Sequence, residues 1–173
     1  MRRLLLPVAA PAAVLVTAMA LGGCGTEDAD LSADALADEV AALYPGAGDA
    51  RVDVRCDGPL AAQVGATQDC RLAVRRDLAT VRATVTRESD DGLEFTTVPV
   101  VPADRVARTV LRGLGEEGYV VGEVVCAEEL VGVVGESVAC RAGPPDGGRR
   151  TEVEATVRAV DGLDVRIRFR LPG

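Results

Sequence analysis

The sequence predicts an α+β fold made of two tandem modules, each one helix packed on a four-stranded antiparallel sheet with one disulfide. Three observations carry that expectation. The hydrophobic pattern switches from helical spacing to strict alternation twice along the chain. Residues recur at an offset of 70, with Leu36, Val40, Val54, Leu60, Val64 and Gly65 falling on Val106, Val110, Val124, Leu130, Val134 and Gly135. Four cysteines form two pairs of equal spacing, Cys56 with Cys70 and Cys126 with Cys140, each pair 14 residues apart.

Before the first module stands a leader. Met1-Arg2-Arg3 is followed by an uncharged run from Leu4 to Leu21, the pattern of a secretory signal peptide over residues 1–23. The run ends at Leu21-Gly22-Gly23-Cys24, which resembles the lipobox of bacterial lipoproteins. That resemblance implies cleavage before Cys24, acylation of its thiol, and display on the outer face of the cytoplasmic membrane. A diacylglyceryl thioether supplies the two chains that stable anchoring needs. An uncleaved signal anchor is the alternative, and Pro7 and Pro11 weaken its helix. Residues 24–30 are expected to be a lipidated polar tether.

The first module is placed at 31–98. Leu36, Val40 and Leu43 lie at helical spacing, Ser32 suits the N-cap, Leu31 and Leu36 suit a hydrophobic staple, and Pro45-Gly46 stops the helix. The period then falls to two through Val52, Val54 and Cys56, through Cys70, Leu72 and Val74, through Val81, Ala83 and Val85, and through Leu93 and Phe95. Val98-Pro99-Val100-Val101-Pro102 reads as a stiff extended link, with 99–102 as the linker proper.

The second module, 103–173, repeats the scheme. Pro102 suits a first helical turn, Val106, Val110 and Leu114 make the apolar stripe, and Gly115 ends it. Strands are expected over Val120 to Cys126, from Cys140, over Val153 to Ala159 and over Leu163 to Leu171. Between the first two strands of each module, Leu60 with Val64 and Leu130 with Val134 fit one helical turn closed by a left-handed Gly65 or Gly135, although a ligand loop is the functional alternative for those glycines. Val81-Arg-Ala-Thr-Val85 recurs as Val153-Glu-Ala-Thr-Val157, and Asp91-Gly-Leu93 as Asp161-Gly-Leu163.

A module of about 70 residues has a marginal core, and a cross-link relieves that. Five cysteines minus the lipid-bearing Cys24 leave an even four, which read as disulfides Cys56 to Cys70 and Cys126 to Cys140. Each closes a 15-residue loop, a contribution of about 3 kcal/mol in the chain-entropy model. A metal or redox dithiol is the alternative, without Cys-x-x-Cys spacing or any His to support it.

Val54-Arg-Cys56 with Val64-Gly-Ala-Thr-Gln-Asp-Cys70 resembles a family of small extracytoplasmic actinobacterial domains known as domain of unknown function four-three-three-three. Those domains show Val-x-Cys-Pro, then Val-Gly-Ala-x-x-x-Cys, then a Thr/Val-rich hairpin. The likeness runs from about Asp34 to Val98 and, more loosely, from about Asp104 to Leu171. Neither first cysteine is followed directly by proline, since Pro59 stands later and Ala127 takes the place in the second copy. The resemblance implies a mycobacterial or streptomycete envelope lipoprotein and brings no activity with it. In architecture the arrangement is also similar to secreted beta-lactamase inhibitor proteins, with no inhibitory motif to carry over.

Composition narrows the function. All 19 basic residues are Arg, set against 27 Asp+Glu, so the net charge is −8 and becomes −10 without Arg2 and Arg3, which disfavours nucleic acid as a partner. His, Trp, Lys and Asn do not occur, and aromatics are 2%. His-dependent catalysis and metal binding, Schiff-base lysines and aromatic stacking platforms are thereby excluded. Asp90-Asp91 and Glu128-Glu129 are carboxylate pairs that read as solvated loops rather than acid/base or calcium sites.

Two features suit contact with a partner. The Gly143-Pro-Pro-Asp-Gly-Gly-Arg-Arg150 loop lengthens a connection that the first copy makes with Arg75-Arg76-Asp77, as either a contact tip or a tolerated insertion. The last strand turns Asp164, Arg166, Arg168 and Arg170 outward. A three-residue turn at Val160-Asp161-Gly162 would set Arg158 against Asp164, Glu154 against Arg168 and Glu152 against Arg170, neutralising that stripe by cross-strand pairs.

The expectation is therefore a non-enzymatic envelope binding or accessory module without cofactor, monomeric, held to the membrane by Cys24, with an envelope protein or glycan as its partner. Its contact region is expected around Pro144, Pro145, Arg149, Arg150 and Arg166. Alternatives are an inhibitor of a secreted hydrolase using the Pro144–Arg150 tip and a carboxylate-dependent hydrolase.

Overall fold

A computed structural model describes residues 30–45, 52–74, 77–89 and 92–171. The leader, Cys24, Gly46, Arg75, Arg76, Asp90 and Asp91 lie outside the described residues. What is described is a mixed α+β fold with two helices, two antiparallel sheets and two disulfides.

Helix α1 spans Ala33–Leu43, and the Ser32 hydroxyl accepts the Ala35 N–H at 3.3 Å, as the sequence predicts for the cap. Leu36 and Val40 are fully buried, but Leu43 is exposed. Tyr44 takes its place at the end of the helix, packing on the core while its hydroxyl hydrogen-bonds Thr97 Oγ1 at 2.9 Å. Strands β1 (Val52–Cys56), β2 (Thr67–Val74), β3 (Asp77–Ser89) and β4 (Gly92–Val101) form an antiparallel meander. Cys56 stands directly opposite Cys70 in the β1–β2 register and is bonded to it.

Helix α2 (Ala103–Glu116) buries Val106, Val110 and Leu114, with Pro102 as N-cap. It runs through Gly115. The stop is Gly118, whose φ of 89° suits a residue without Cβ. The Gly118 N–H donates to the Gly115 carbonyl at 3.1 Å and the Tyr119 N–H to the Leu114 carbonyl at 3.0 Å, the paired bonds of a Schellman end. Strands β5 (Glu123–Cys126), β6 (Leu130–Val131), β7 (Ser137–Gly143), β8 (Thr151–Asp161) and β9 (Asp164–Arg170) follow, with Cys126 bonded to Cys140 across β5 and β7. Val120 and Val121 are loop residues, not the start of a strand.

The sheets differ from two separate sets of four. The first has five strands, in the order β1-β2-β3-β4-β6, because β6 leaves the second half and pairs with the end of β4. Val101 opposes Leu130, and the Gly132 N–H donates to the Pro99 carbonyl at 2.7 Å. Since the N–H and C=O of a strand residue point to the same side, the missing N–H of Pro99 falls on that short edge and not toward β3. The 99–102 stretch is thus extended, as expected, but most of it is sheet rather than a bare link. The same contact occurs 70 residues earlier, where Leu31 bridges Leu60. A Cβ on Gly132 would lie 2.6 Å from Pro99 Cγ, so glycine is what permits this approach.

Other local devices recur. Gly65 (φ 88°) donates to the Val85 carbonyl and Gly135 (φ 99°) to the Val157 carbonyl, while Val85 and Val157 donate back to Ala66 and Glu136. The left-handed glycines are as predicted. The turns before them are not helical: Leu60 and Leu130 are buried pairing residues, and Val64 and Val134 are exposed.

Each long hairpin carries a bulge, at Thr86 in β3 and at Arg158 in β8. Asp161 pairs with Asp164, leaving a two-residue turn rather than three. The bulge then restores the parity that puts Val157 opposite Ile167 and Ala155 opposite Phe169. In this register Ser89 corresponds to Asp161, so the repeat of Asp91-Gly-Leu93 at Asp161 is two residues out of step with the strands.

Candidate docking surface

The expected contact residues fall into three places. Pro144 and Arg149 line a hollow of about 200 Å³ at one end of the second sheet, together with Tyr119, Val120, Thr151 and Leu171. Arg150 turns away to Glu123, with Nη2 to Oε2 at 2.8 Å, and lines a separate hollow over the Cys126–Cys140 bridge. Arg166 lies on the outward face of β9, opposite Ala159.

The first hollow is built by two facing loops. On one side the Schellman end of α2 delivers Tyr119 and Val120 to the surface, half and four-fifths exposed respectively. Across from it runs the Gly143–Arg150 loop. The Gly122 N–H donates to the Gly143 carbonyl at 2.9 Å, and a Cβ on Gly122 would stand 2.6 Å from Pro145 Cα. Pro145 therefore supports the wall from behind. The turn is closed by Gly147 N–H to the Pro144 carbonyl at 3.2 Å and by Gly148 N–H to Asp146 Oδ1 at 3.2 Å. The loop is folded back on its own half and is not a free tip.

Charge divides the molecule. Along the first sheet Arg55 pairs with Asp53, Arg71 with Asp57 and Arg87 with Glu94. Arg82 holds Asp69 through two bonds of 2.7 and 2.8 Å and reaches Glu129 of the second half at 2.5 Å. Its hydrogen bonds to Asp69, and secondly to Glu129, raise its affinity for its proton further, against the opposing effect of burial. On the second sheet Arg141, Arg158, Arg166, Arg168 and Arg170 are exposed, and among the described residues none has a carboxylate within 4.0 Å. The expected pairs of Arg158 with Asp164, Glu154 with Arg168 and Glu152 with Arg170 are replaced by a register that sets Glu154 opposite Arg170 and Thr156 opposite Arg168. The outward direction of the stripe is as predicted, and its internal neutralisation is not found.

Glu129, read from the sequence as part of a solvated carboxylate pair, is a clamp between the halves, while Glu128 is exposed. Tyr119 was not singled out in the sequence, and Val120 was read as the start of a strand rather than as a surface residue. The signal available was the contrast of Gly118-Tyr-Val-Val121 with Gly48-Asp-Ala-Arg51 at the 70-residue offset. Comparison of the chain with family models, with curated proteins and with solved structures returns no match.

Proposed function

We propose that the protein is a cell-envelope lipoprotein, acylated on Cys24 and held on the outer face of the cytoplasmic membrane, where it acts as a non-enzymatic binding or accessory module. In this reading its two halves are tandem copies of one α+β unit, similar to the domain of unknown function four-three-three-three. The duplicated pairings Leu31 with Leu60 and Val101 with Leu130, the paired disulfides and the paired bulges support the tandem reading. Two disulfides suit an oxidising, extracytoplasmic setting, and among the described residues no helix is long and apolar enough to cross a membrane.

The observation that carries the binding reading is where the halves diverge. The Tyr119–Val121 segment and the lengthened Gly143–Arg150 loop are departures from the repeat, and they face each other across one hollow. A shared frame with two altered loops side by side is how a scaffold acquires a contact surface. The partner is an envelope protein or glycan.

Labelling of cells with a fatty-acid probe tests the anchor, with lipid incorporation and membrane retention both lost in Cys24→Ala. Crosslinking on living cells tests the contact. Capture by the wild type that disappears when the Gly143–Arg150 loop is shortened supports the reading, and unchanged membrane retention of Cys24→Ala refutes it.

A further inference from the structure

Resting on that binding reading, we infer that the Tyr119–Arg149 hollow is a docking site for an acidic, apolar peptide segment of a partner protein, taking one aliphatic or aromatic side chain beside a carboxylate. Size, chemistry and charge each bear on the occupant. At about 200 Å³ the hollow is smaller than the roughly 300–1,000 Å³ of sites that enclose a whole small molecule. It matches one large side chain, the scale at which protein partners anchor.

The walls are apolar where such a side chain would sit. Pro144, Val120 and Leu171 surround it, and Tyr119 is half exposed at its edge. Tyr119 stands apart among the four aromatic residues of the chain, since Phe95, Phe169 and Tyr44 pack against the two cores. A half-exposed tyrosine with a four-fifths exposed valine next to it leaves apolar surface that a partner would cover.

Arg149 sets the sign of the charge. Its neighbour Arg150 is neutralised by Glu123, whereas among the described residues no carboxylate lies within 4.0 Å of Arg149. An exposed guanidinium in a concave wall is suited to a bidentate bond with a carboxylate, and Tyr119 and Thr151 offer hydroxyls beside it. A neutral or basic peptide would leave that guanidinium partly desolvated without a partner, which disfavours it. The walls are also set before binding, by the Schellman bonds behind Tyr119 and by the Gly122 contact behind Pro145.

The test is selection of a random heptapeptide display library on the oxidised protein, followed by affinity measurement with the enriched synthetic peptides. Enrichment is expected for an aliphatic or aromatic residue adjacent to Asp or Glu. Tyr119→Ser and Arg149→Glu should each weaken the selected peptides by about tenfold or more, and a peptide with Asn for its acid should bind Arg149→Glu as well as it binds the wild type. Arg55→Glu, exposed on β1 of the first half, should leave affinity unchanged. Peptides without an acidic residue, peptides indifferent to Tyr119→Ser and Arg149→Glu, or no enrichment at all would overturn the inference. Its failure is separable from failure of the envelope reading. Capture on cells through another surface would leave that reading standing without the hollow, and Cys24→Ala retained at the membrane would remove it while peptide binding persisted.

Discussion

The two halves of the molecule share a frame and differ in what they leave open. Among the described residues the first half has the smaller core, eight buried residues against fourteen, and its four sheet arginines are all paired with carboxylates. In the second half five sheet arginines are without such partners among the described residues, and Tyr119 and Val120 lie at the surface. The end of β4 joins them, because Val101 belongs to the second core while Pro99 remains in the first sheet. The contrast teaches that the first half spends its sheet charges on its own carboxylates and on Glu129 of the second half, whereas the second leaves its sheet arginines open to solvent.

The largest effect should come from the bridges. Both close loops of the same length, 14 residues apart in sequence, so Cys56→Ser/Cys70→Ser and Cys126→Ser/Cys140→Ser should each cost about 3 kcal/mol. Despite the unequal cores, both variants should still unfold in one transition, because β6 ties the halves together. Calorimetry in which the first-half variant melts in a separate earlier step would break the comparison.

Next is the junction itself. Gly132→Ala forces a Cβ to 2.7 Å from the Pro99 carbonyl oxygen, a backbone atom that cannot move aside cheaply, and should cost about 1–3 kcal/mol. Denaturant midpoints against Gly115→Ala, where a Cβ meets open space, give the control. An equal response of the two would show that β4 and β6 are not tightly joined.

Arg82→Met sharpens the electrostatic side of the contrast. It leaves Asp69 and Glu129 without their common partner in a site about one-quarter to two-fifths exposed, an expected loss of about 1–2 kcal/mol. Arg168→Met, exposed and without a carboxylate partner among the described residues, should change stability by less than about 0.5 kcal/mol. Chemical denaturation of both separates a clamp from a free charge.

The smallest effect concerns pH. Arg108 donates to Asp104 at 2.6 Å in the first turn of α2 and holds that carboxyl below its ordinary range. A depressed folded value contributes stability above the unfolded carboxylate range, and that contribution is lost as pH falls through the folded value. The gap between wild type and Asp104→Asn should therefore be small at neutral pH and vanish in acid. A gap that widened in acid would contradict the pairing.

Much of this fold was legible because its signals are local. Cysteine spacing, the Leu36/Val40 and Val106/Val110 stripes, the Ser32 cap and the left-handed Gly65 and Gly135 each act within a few residues or one hairpin. What was not legible depends on partners distant in sequence or on a single extra residue. Leu130-Val131 is too short to show a period, and its assignment to the first sheet depends on Val100-Val101 some 30 residues earlier. The two-residue turn after Asp161 and the bulge at Arg158 together changed every expected pair on β9, the turn moving the register and the one extra residue moving it part of the way back. At the candidate site, Pro144 and Arg149 were named from loop composition, while Tyr119 was missed because Gly115 was read as the end of helix α2, which runs on to Glu116 and is closed by Gly118.

That the halves are one body joined through β4 and β6 is tested most directly at the Gly132 amide, whose N–H donates to the Pro99 carbonyl at 2.7 Å. In native-state hydrogen exchange it should be protected as strongly as the Val85 and Val157 amides, which close the equivalent turns of the two halves, and all three should open in the same global event. Exchange of Gly132 at the rate of a surface loop, with Val85 and Val157 still protected, would mean two independent halves on a bare link and would contradict the account.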